Sequence, residues 1–283
     1  MSGRLLRTAA TTSRTAMNDT RALRSLALSA AREAGELLLH GRPARLTYDT
    51  KSTATDVVTE MDRRSERLLV ERLLGERPDD SVIGEEGADS KGNSGITWVL
   101  DPIDGTVSYL YGQPMWAVSV AAEDAHGGLV GVVHVPAIGE TYVGVRGEGA
   151  VRIDAHGEHR LYRDDEVRLG LALVGTGFGY DELRRRSQAQ TLVEVLPAIR
   201  DIRRPGAASI DICWVADGRL DAYYERGLSH WDYAAAAVVA REAGVRIAGI
   251  NGAAPGPEFL MAAIESVAAP LHDLLAAAGA DRD

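Results

Sequence analysis

The sequence contains a single cysteine, Cys213, among 283 residues. No intrachain disulfide can form, a reducing compartment is the default, and a lone thiol of this kind reads as a small core residue. No run approaches about 18 uninterrupted apolar residues, so no membrane-spanning helix is expected. No block of like charge stands out, although the net charge is −10. That balance argues against a nucleic-acid groove. It leaves room for an anionic substrate, because local cations override the global sign. The seven histidines show no metal-ligand spacing. Lysine is scarce: of 31 basic residues only Lys51 and Lys91 are lysine, which fits a high-GC coding background and draws notice to those two. Residues 1–18, "MSGRLLRTAATTSRTAMN", contain no acid and no apolar core of the secretory kind. Arg4, Arg7 and Arg14 among Ser and Thr give them the composition of a transit peptide. The plainer expectation is a disordered tail, or an upstream start codon with Met17 as initiator.

The sequence as a whole, 45% hydrophobic and 25% charged, has an ordinary globular composition. Leu23, Leu26, Ala30, Ala34, Leu37 and Leu38 recur with helical period, with Asp19 or Thr20 as the cap and Gly41-Arg42-Pro43 as the end. A second helix is expected from Thr59 to Leu74, with Thr59 and Asp62 placed as a capping box. "SVIGEEG" reads as a short strand opening into a polar loop. Strand-like runs follow at Ile96–Leu100, Trp116–Ala122, Leu129–Val135 and Thr141–Val145, with a hairpin at Gly127-Gly128. After about residue 165 strands and helices alternate, which favours an α/β lobe over residues 166–283 behind an α+β lobe over 19–165.

The stretch "WVLDPIDGTVSYLYG", Trp98 to Gly112, ends an apolar run in Asp101 and Asp104 with Pro102 between them. Two like charges that close repel unless something positive sits between them. Proline suits the first turn of a helix, having no N–H to lose there. Asp101 is therefore expected at the strand end or N-cap, with Asp104 one turn on. Oxygen ligands of this kind favour Mg²⁺. Gly105 lets the backbone approach a ligand closely, and a helix N-terminus suits a phosphate. The segment reads as a joint metal and phosphate site; the bland alternative is a capping Asp and an ordinary turn. "GEE" at 84–86 and "HWDYAAAA", with Asp232 near a helix start, add acids in similar positions. Three such sites suit a multi-metal centre that activates water and clamps a transferring phosphoryl group. Trp98, Trp214 and Trp231 read as core, and His230 as a local neighbour of Asp232 rather than a ligand.

Together "GEE", "WVLDPIDGT" and "DAYYERGLSHWDYAAA" resemble the inositol monophosphatase family, metal-dependent phosphatases of the superfamily that includes fructose-1,6-bisphosphatase. The nearest likeness is to its actinobacterial inositol-phosphatase-like branch, whose members also carry stretches like "GTGFGY" and "GRLDAYYE". The resemblance implies a layered αβαβα sandwich combining α+β and α/β lobes, two or three Mg²⁺ ions, and a cytoplasmic homodimer with no nucleic-acid or membrane partner. It implies that Glu85, Asp101 and the carbonyl of Ile103 hold one ion, and that Asp101, Asp104 and Asp232 hold a second. A third, weaker ion falls near Glu85. Glu85, Thr106 and Asp62 form the implied catalytic set, Thr106 orienting the attacking water with the support of Asp62. Asp104 and the N–H groups of Gly105 and Thr106 face the phosphate. Lys51, in "KSTATDVVTEMD", matches a basic residue beside the metals. Glu225 matches a residue that binds a substrate hydroxyl, and Gly206, Ala207 and Ala208 match a loop lining the substrate pocket.

Two departures bear on substrate. The family often has "GTTNF" where this sequence has Gly105-Thr106-Val107-Ser108-Tyr109, and a hydroxyl residue where Ala207 stands. The implied reaction is hydrolysis of a small phosphate monoester by direct attack of metal-activated water. Inositol monophosphate is the first substrate expected; histidinol phosphate or another sugar or cyclitol phosphate is the alternative. A reading of another class is a non-catalytic regulatory or binding protein on the phosphatase fold.

Overall fold

The computed structural model describes residues 3–43, 46–53 and 56–282, with side chains from Asp19 onward. Residues 3–18, for which a disordered tail was expected, are described as backbone only and lie within the first helix. In chain order the elements are α1 (Gly3–His40), β1 (Tyr48–Thr50), β2 (Val57–Thr59), α2 (Glu60–Glu76), β3 (Ser81–Gly84) and β4 (Asp89–Ser90). Next come β5 (Thr97–Asp104), α3 (Thr106–Leu110), β6 (Ala117–Asp124), β7 (Gly127–Val135), β8 (Glu140–Val145), β9 (Gly149–Asp154) and β10 (Gly157–Leu161). The second lobe has β11 (Leu173–Thr176), α4 (Glu182–Val195), β12 (Asp201–Arg203), α5 (Ala208–Ala216), β13 (Ala222–Glu225) and α6 (His230–Glu242). It closes with β14 (Arg246–Ala248), β15 (Leu260–Ala263) and α7 (Glu265–Ala277).

Eight strands form one sheet in the order β10-β9-β8-β7-β6-β5-β3-β4, and five form a second in the order β12-β11-β13-β15-β14. The first sheet is antiparallel except for the β3–β5 pair. The second is mixed: β11 runs parallel to β12 and β13, while β15 opposes β13 and β14. Helices α1 and α2 cover one face of the large sheet, and α5 and α6 fill the space between the two sheets. The outer face of the small sheet carries α7, against which α4 packs. The five layers are the αβαβα sandwich that the motifs implied.

The periodic residues explain the layers. On α1, Leu23, Ala27, Ala30, Ala31, Ala34 and Leu38 are buried, one stripe facing the sheet. The middle layer is thin because both surfaces are small. In α6, Ala234 to Ala237 are buried, and the sheet beneath offers Gly131 and Gly144. A Cβ on Gly131 would stand 2.1 Å from the carbonyl oxygen of Ala235, so helix and strand touch backbone to backbone. Cys213 is buried in α5, as expected of a core thiol. Among the described residues no helix is long and apolar enough to cross a membrane.

Three expectations are corrected. The helix that Asp19 or Thr20 was to cap is continuous through both, and Asp19 pairs instead with Arg77 at 3.1 Å. The hairpin β9–β10 was not anticipated, since its strands are mostly partly exposed and carry charge rather than alternating apolar residues. The third correction concerns the carboxylates: β5 does not stop before Pro102 but runs on to Asp104, and helix begins only at Thr106.

Candidate active site

The strand through Asp101 and Asp104 sets the geometry. In a regular strand, residues three apart point to opposite faces. Here the pairing with β6 jumps from Asp101 opposite Ser119 to Asp104 opposite Ala117, an irregularity that takes up one extra residue. Such a bulge re-aims side chains, and Asp101 and Asp104 end up lining the same cleft. Ser65 of α2 supports the bulge by donating its hydroxyl to the carbonyl of Pro102 at 3.1 Å. Gly105 then takes φ 90, the left-handed conformation that glycine reaches without penalty, and turns the chain into α3.

Glu85 follows the end of β3, the parallel neighbour of β5. Its backbone N–H extends the ladder by donating to Leu100 at 3.2 Å. Asp232 sits at the third position of α6, where its carboxylate accepts the N–H of Ser229 at 2.7 Å in a capping box. Carboxylate oxygens of Glu85, Asp101 and Asp232 lie within 4.8 Å of one another. Burial and the neighbouring charges of Glu85 and Asp104 hold the carboxyls of Asp101 and Asp232 well above the usual range. Asp104, nearly as buried, is pushed up to about 6, although Ser209 donates to it and works the other way. A group of buried like charges is unfavourable without a counter-ion, and these are all hard oxygen donors. The cluster has the chemistry to hold a divalent cation.

Behind the cluster, Asp62 is fully buried. Its Oδ2 accepts from the Thr59 N–H and hydroxyl at 2.7 and 2.6 Å, which is the capping box. Its Oδ1 faces Thr106, whose hydroxyl lies 3.1 Å away and also 3.0 Å from the carbonyl of Ile103. The cap and the support for Thr106 are thus the two oxygens of one carboxylate. Lys51 reaches Glu85 at 2.8 Å and Glu86 at 2.5 Å. Burial opposes its charge, but the two glutamates outweigh it and the ammonium is held charged.

Lys51, Glu85, Asp101, Ile103, Asp104, Gly105, Thr106 and Asp232 line a cleft of about 590 Å³, together with Gly206, Ala207, Ala208 and Glu225 from the second lobe. Every site residue expected from the motifs is therefore in the cleft or directly behind it. Glu225 accepts a hydrogen bond from the Tyr223 hydroxyl, and its burial pushes it up to about 7. Residues 19–282 match the family model described as the inositol monophosphatase family. The chain belongs to the inositol monophosphatase family.

A Mycobacterium bovis member named inositol-1-monophosphatase is 43% identical over 246 residues, which is 81% of this chain and 84% of that one. A Pasteurella multocida member named Nus factor SuhB is 35% identical over 249 residues, covering 87% and 91%. The solved structure of Mycobacterium tuberculosis SuhB matches with a TM-score of 0.77 at 40% identity, over 91% of this chain and 97% of that one. The family is one of metal-dependent phosphatases, and this phosphatase brings Glu85, Asp101 and Asp232 together as a candidate metal cluster.

Sequence reasoning missed four supporting residues. Glu66 on α2 accepts the N–H groups of Glu86 and Ala88 at 2.8 and 3.0 Å and so shapes the loop that carries Glu85. Ser209 holds Asp104 with its N–H at 2.7 Å and its hydroxyl at 2.5 Å. Glu86 is the second partner of Lys51, and Tyr223 holds Glu225. A signal existed for Glu66: Asp62, Ser65, Glu66, Leu69 and Leu73 repeat every three to four residues, and all are buried. A polar start to an otherwise apolar helical stripe marks a helix end that faces a site.

Proposed function

We propose that this phosphatase hydrolyses a small phosphate monoester in a Mg²⁺-dependent reaction, with inositol monophosphate as the first substrate and histidinol phosphate as the second. The observation that carries the reading is the convergence of Glu85, Asp101 and Asp232 from three separate elements to within 4.8 Å. Asp104 and the carbonyl of Ile103 complete the donor set. Bound there, two or three divalent ions would neutralise phosphate charge and lower the pKa of a water.

The remaining work falls to the chain itself. The N–H groups of Gly105 and Thr106 donate to phosphate oxygens. The Thr106 hydroxyl, 3.1 Å from Asp62, gives its proton toward that carboxylate and accepts one from the attacking water. Asp62 Oδ2 is saturated by Thr59, which leaves Oδ1 for this role. Glu225 and the Gly206-Ala207-Ala208 segment contact the alcohol part of the ester, and Lys51 steadies Glu85. A homodimer is part of the proposal on family resemblance alone, and sedimentation would test it.

The test is a panel of inositol 1-phosphate, histidinol phosphate, fructose bisphosphate and phosphoadenosine phosphate, scored by kcat/KM with Mg²⁺ and with EDTA. The highest value for the inositol ester, abolished by EDTA, is expected. Hydrolysis of none of the four, with the protein folded and Mg²⁺ bound, would favour the second reading, a binding or regulatory role. The name of the Pasteurella relative keeps that reading in view.

A further inference from the structure

Asp211 is a buried carboxylate of the cleft with no part in the proposed reaction. It lies in the first turn of α5, is 1% exposed and lines the same cleft, yet its Oδ1 has no hydrogen-bond partner. A buried polar group left without a partner costs free energy, and a buried charge costs more. Arg204 offsets part of that cost through space, while Glu225 and Asp104 are like charges that add to it. Among the described residues no hydrogen bond meets Oδ1.

The neighbours say what would. The Asp211 N–H donates to the carbonyl of Ala207, which places the two residues one turn apart on one helix face. Ala207 caps α5 without any side-chain hydrogen bond. The polar contact that a hydroxyl at that position would make is absent, and Asp211 stands one turn below it. Gly175 and Gly177 lie two residues apart on one side of the chain at β11. A Cβ on Gly177 would fall 1.9 Å from Glu225 Oε2, and one on Gly175 would fall 3.4 Å from Asp211 Oδ1. The two carboxylates therefore follow one another along the same side of the chain, Asp211 beside Gly175 and Glu225 beside Gly177.

We infer that Asp211 is a specificity-determining residue that, paired with Glu225, accepts hydrogen bonds from hydroxyls on the alcohol part of the ester. The substrate class it selects is a polyhydroxylated alcohol with donors on more than one side. The inference rests on the proposed hydrolysis of a monoester in this cleft and adds the residue that reads the leaving group.

The test is Asp211→Asn, which keeps the shape and removes the charge. It is assayed at saturating Mg²⁺ with inositol 1-phosphate and with p-nitrophenyl phosphate, whose alcohol part has no hydroxyl of its own to donate. The ratio of the two kcat/KM values is expected to fall about tenfold, mainly through KM for the inositol ester. An unchanged ratio overturns the inference, whether both activities hold or both decline together, because a merely structural role lowers the two alike. Asp211→Ser carries the same test if the amide is not accommodated. Wild-type protein inert toward both esters and toward the rest of the panel defeats the proposed reaction itself, and that failure is visible before any variant is compared.

Discussion

Ser209 and Asp104 join the two lobes: both the N–H and the hydroxyl of Ser209 donate to one oxygen of Asp104, at 2.7 and 2.5 Å. Asp104 ends β5 in the large sheet, and Ser209 opens α5 in the layer beneath. The contact fixes Asp104 and also the loop of Gly206 and Ala207, which packs on Gly105.

Ser209→Ala should therefore cost more than one surface contact. Removing a hydroxyl donor from a buried carboxylate costs about 1.5–3 kcal/mol, readable as a lowered urea midpoint. A freed Asp104 moves off its aim, and kcat/KM should drop by about tenfold or more. Wild-type kcat/KM in Ser209→Ala would show that the N–H alone suffices.

The buried acids predict an unusual response to metal removal. Burial, and then repulsion from Glu85, Asp104 and Asp232, holds the carboxyl of Asp101 up. Replacing a buried, repelled charge by a neutral isostere relieves the fold, so Asp101→Asn should melt at a higher temperature than wild type in EDTA. Added Mg²⁺ should raise the melting temperature of wild type and leave Asp101→Asn unmoved, while hydrolysis is lost. An equal Mg²⁺-induced shift in both proteins would remove Asp101 from the ligand set.

How much of this was legible beforehand depends on how locally each feature is encoded. The capping box of Thr59 and Asp62 and the placement of Asp232 are set by three or four neighbouring residues, and they appear as read. The course of β5 past Pro102 is set by pairing with β6, a strand that the local sequence does not mention, so the helix-start rule for proline gave the wrong outline. Asp101 and Asp104 still share the cleft because the bulge, like the expected helix turn, turns them the same way. Ser209 meets a group 105 residues away and no short motif announces it, while Glu66, whose partners lie 20 and 22 residues away, shows only in the buried stripe of α2.

The double duty of Asp62 ties stability to rate. Asp62→Asn keeps one oxygen but weakens the cap at Thr59, worth about 1 kcal/mol. Thr106→Ala leaves that cap whole but takes the hydroxyl donor from the buried Asp62 Oδ1. Both should depress kcat far more than they raise KM, and both should lower the urea midpoint. Thr106→Ser, which keeps the hydroxyl, should recover the midpoint and most of kcat; a recovered midpoint with kcat still lost would mean that the hydroxyl serves the fold rather than the water.

His134 sets a pH limit on the fold that has nothing to do with the active site. It lies on β7, 9% exposed, with Nδ1 2.9 Å from the Thr141 hydroxyl and its ring pressed against Gly35 of α1. Burial, then the charge of Arg32, lowers its pKa from 6.5 to about 4, while the Glu140 backbone and the charge of Glu36 on α1 act in the other direction. The folded protein thus keeps His134 neutral where the unfolded chain is already protonated. Above pH 6.5 both states are neutral and the group is indifferent to pH. As pH falls from 6.5 toward 4, the unfolded chain binds the extra proton, and stability is lost. The loss amounts to about 3 kcal/mol by the lower limit, at 1.36 kcal/mol per unit. Below that, both states are protonated and no more is lost. Urea titrations of wild type and His134→Gln between pH 7 and pH 4 isolate this decline, because the raised carboxyls of Asp104, Glu86 and Glu225 gain stability as pH falls and act alike in both proteins. His134→Gln, which can still bond Thr141, should flatten it by about that amount. Parallel curves for the two proteins would mean that the proton is taken up elsewhere.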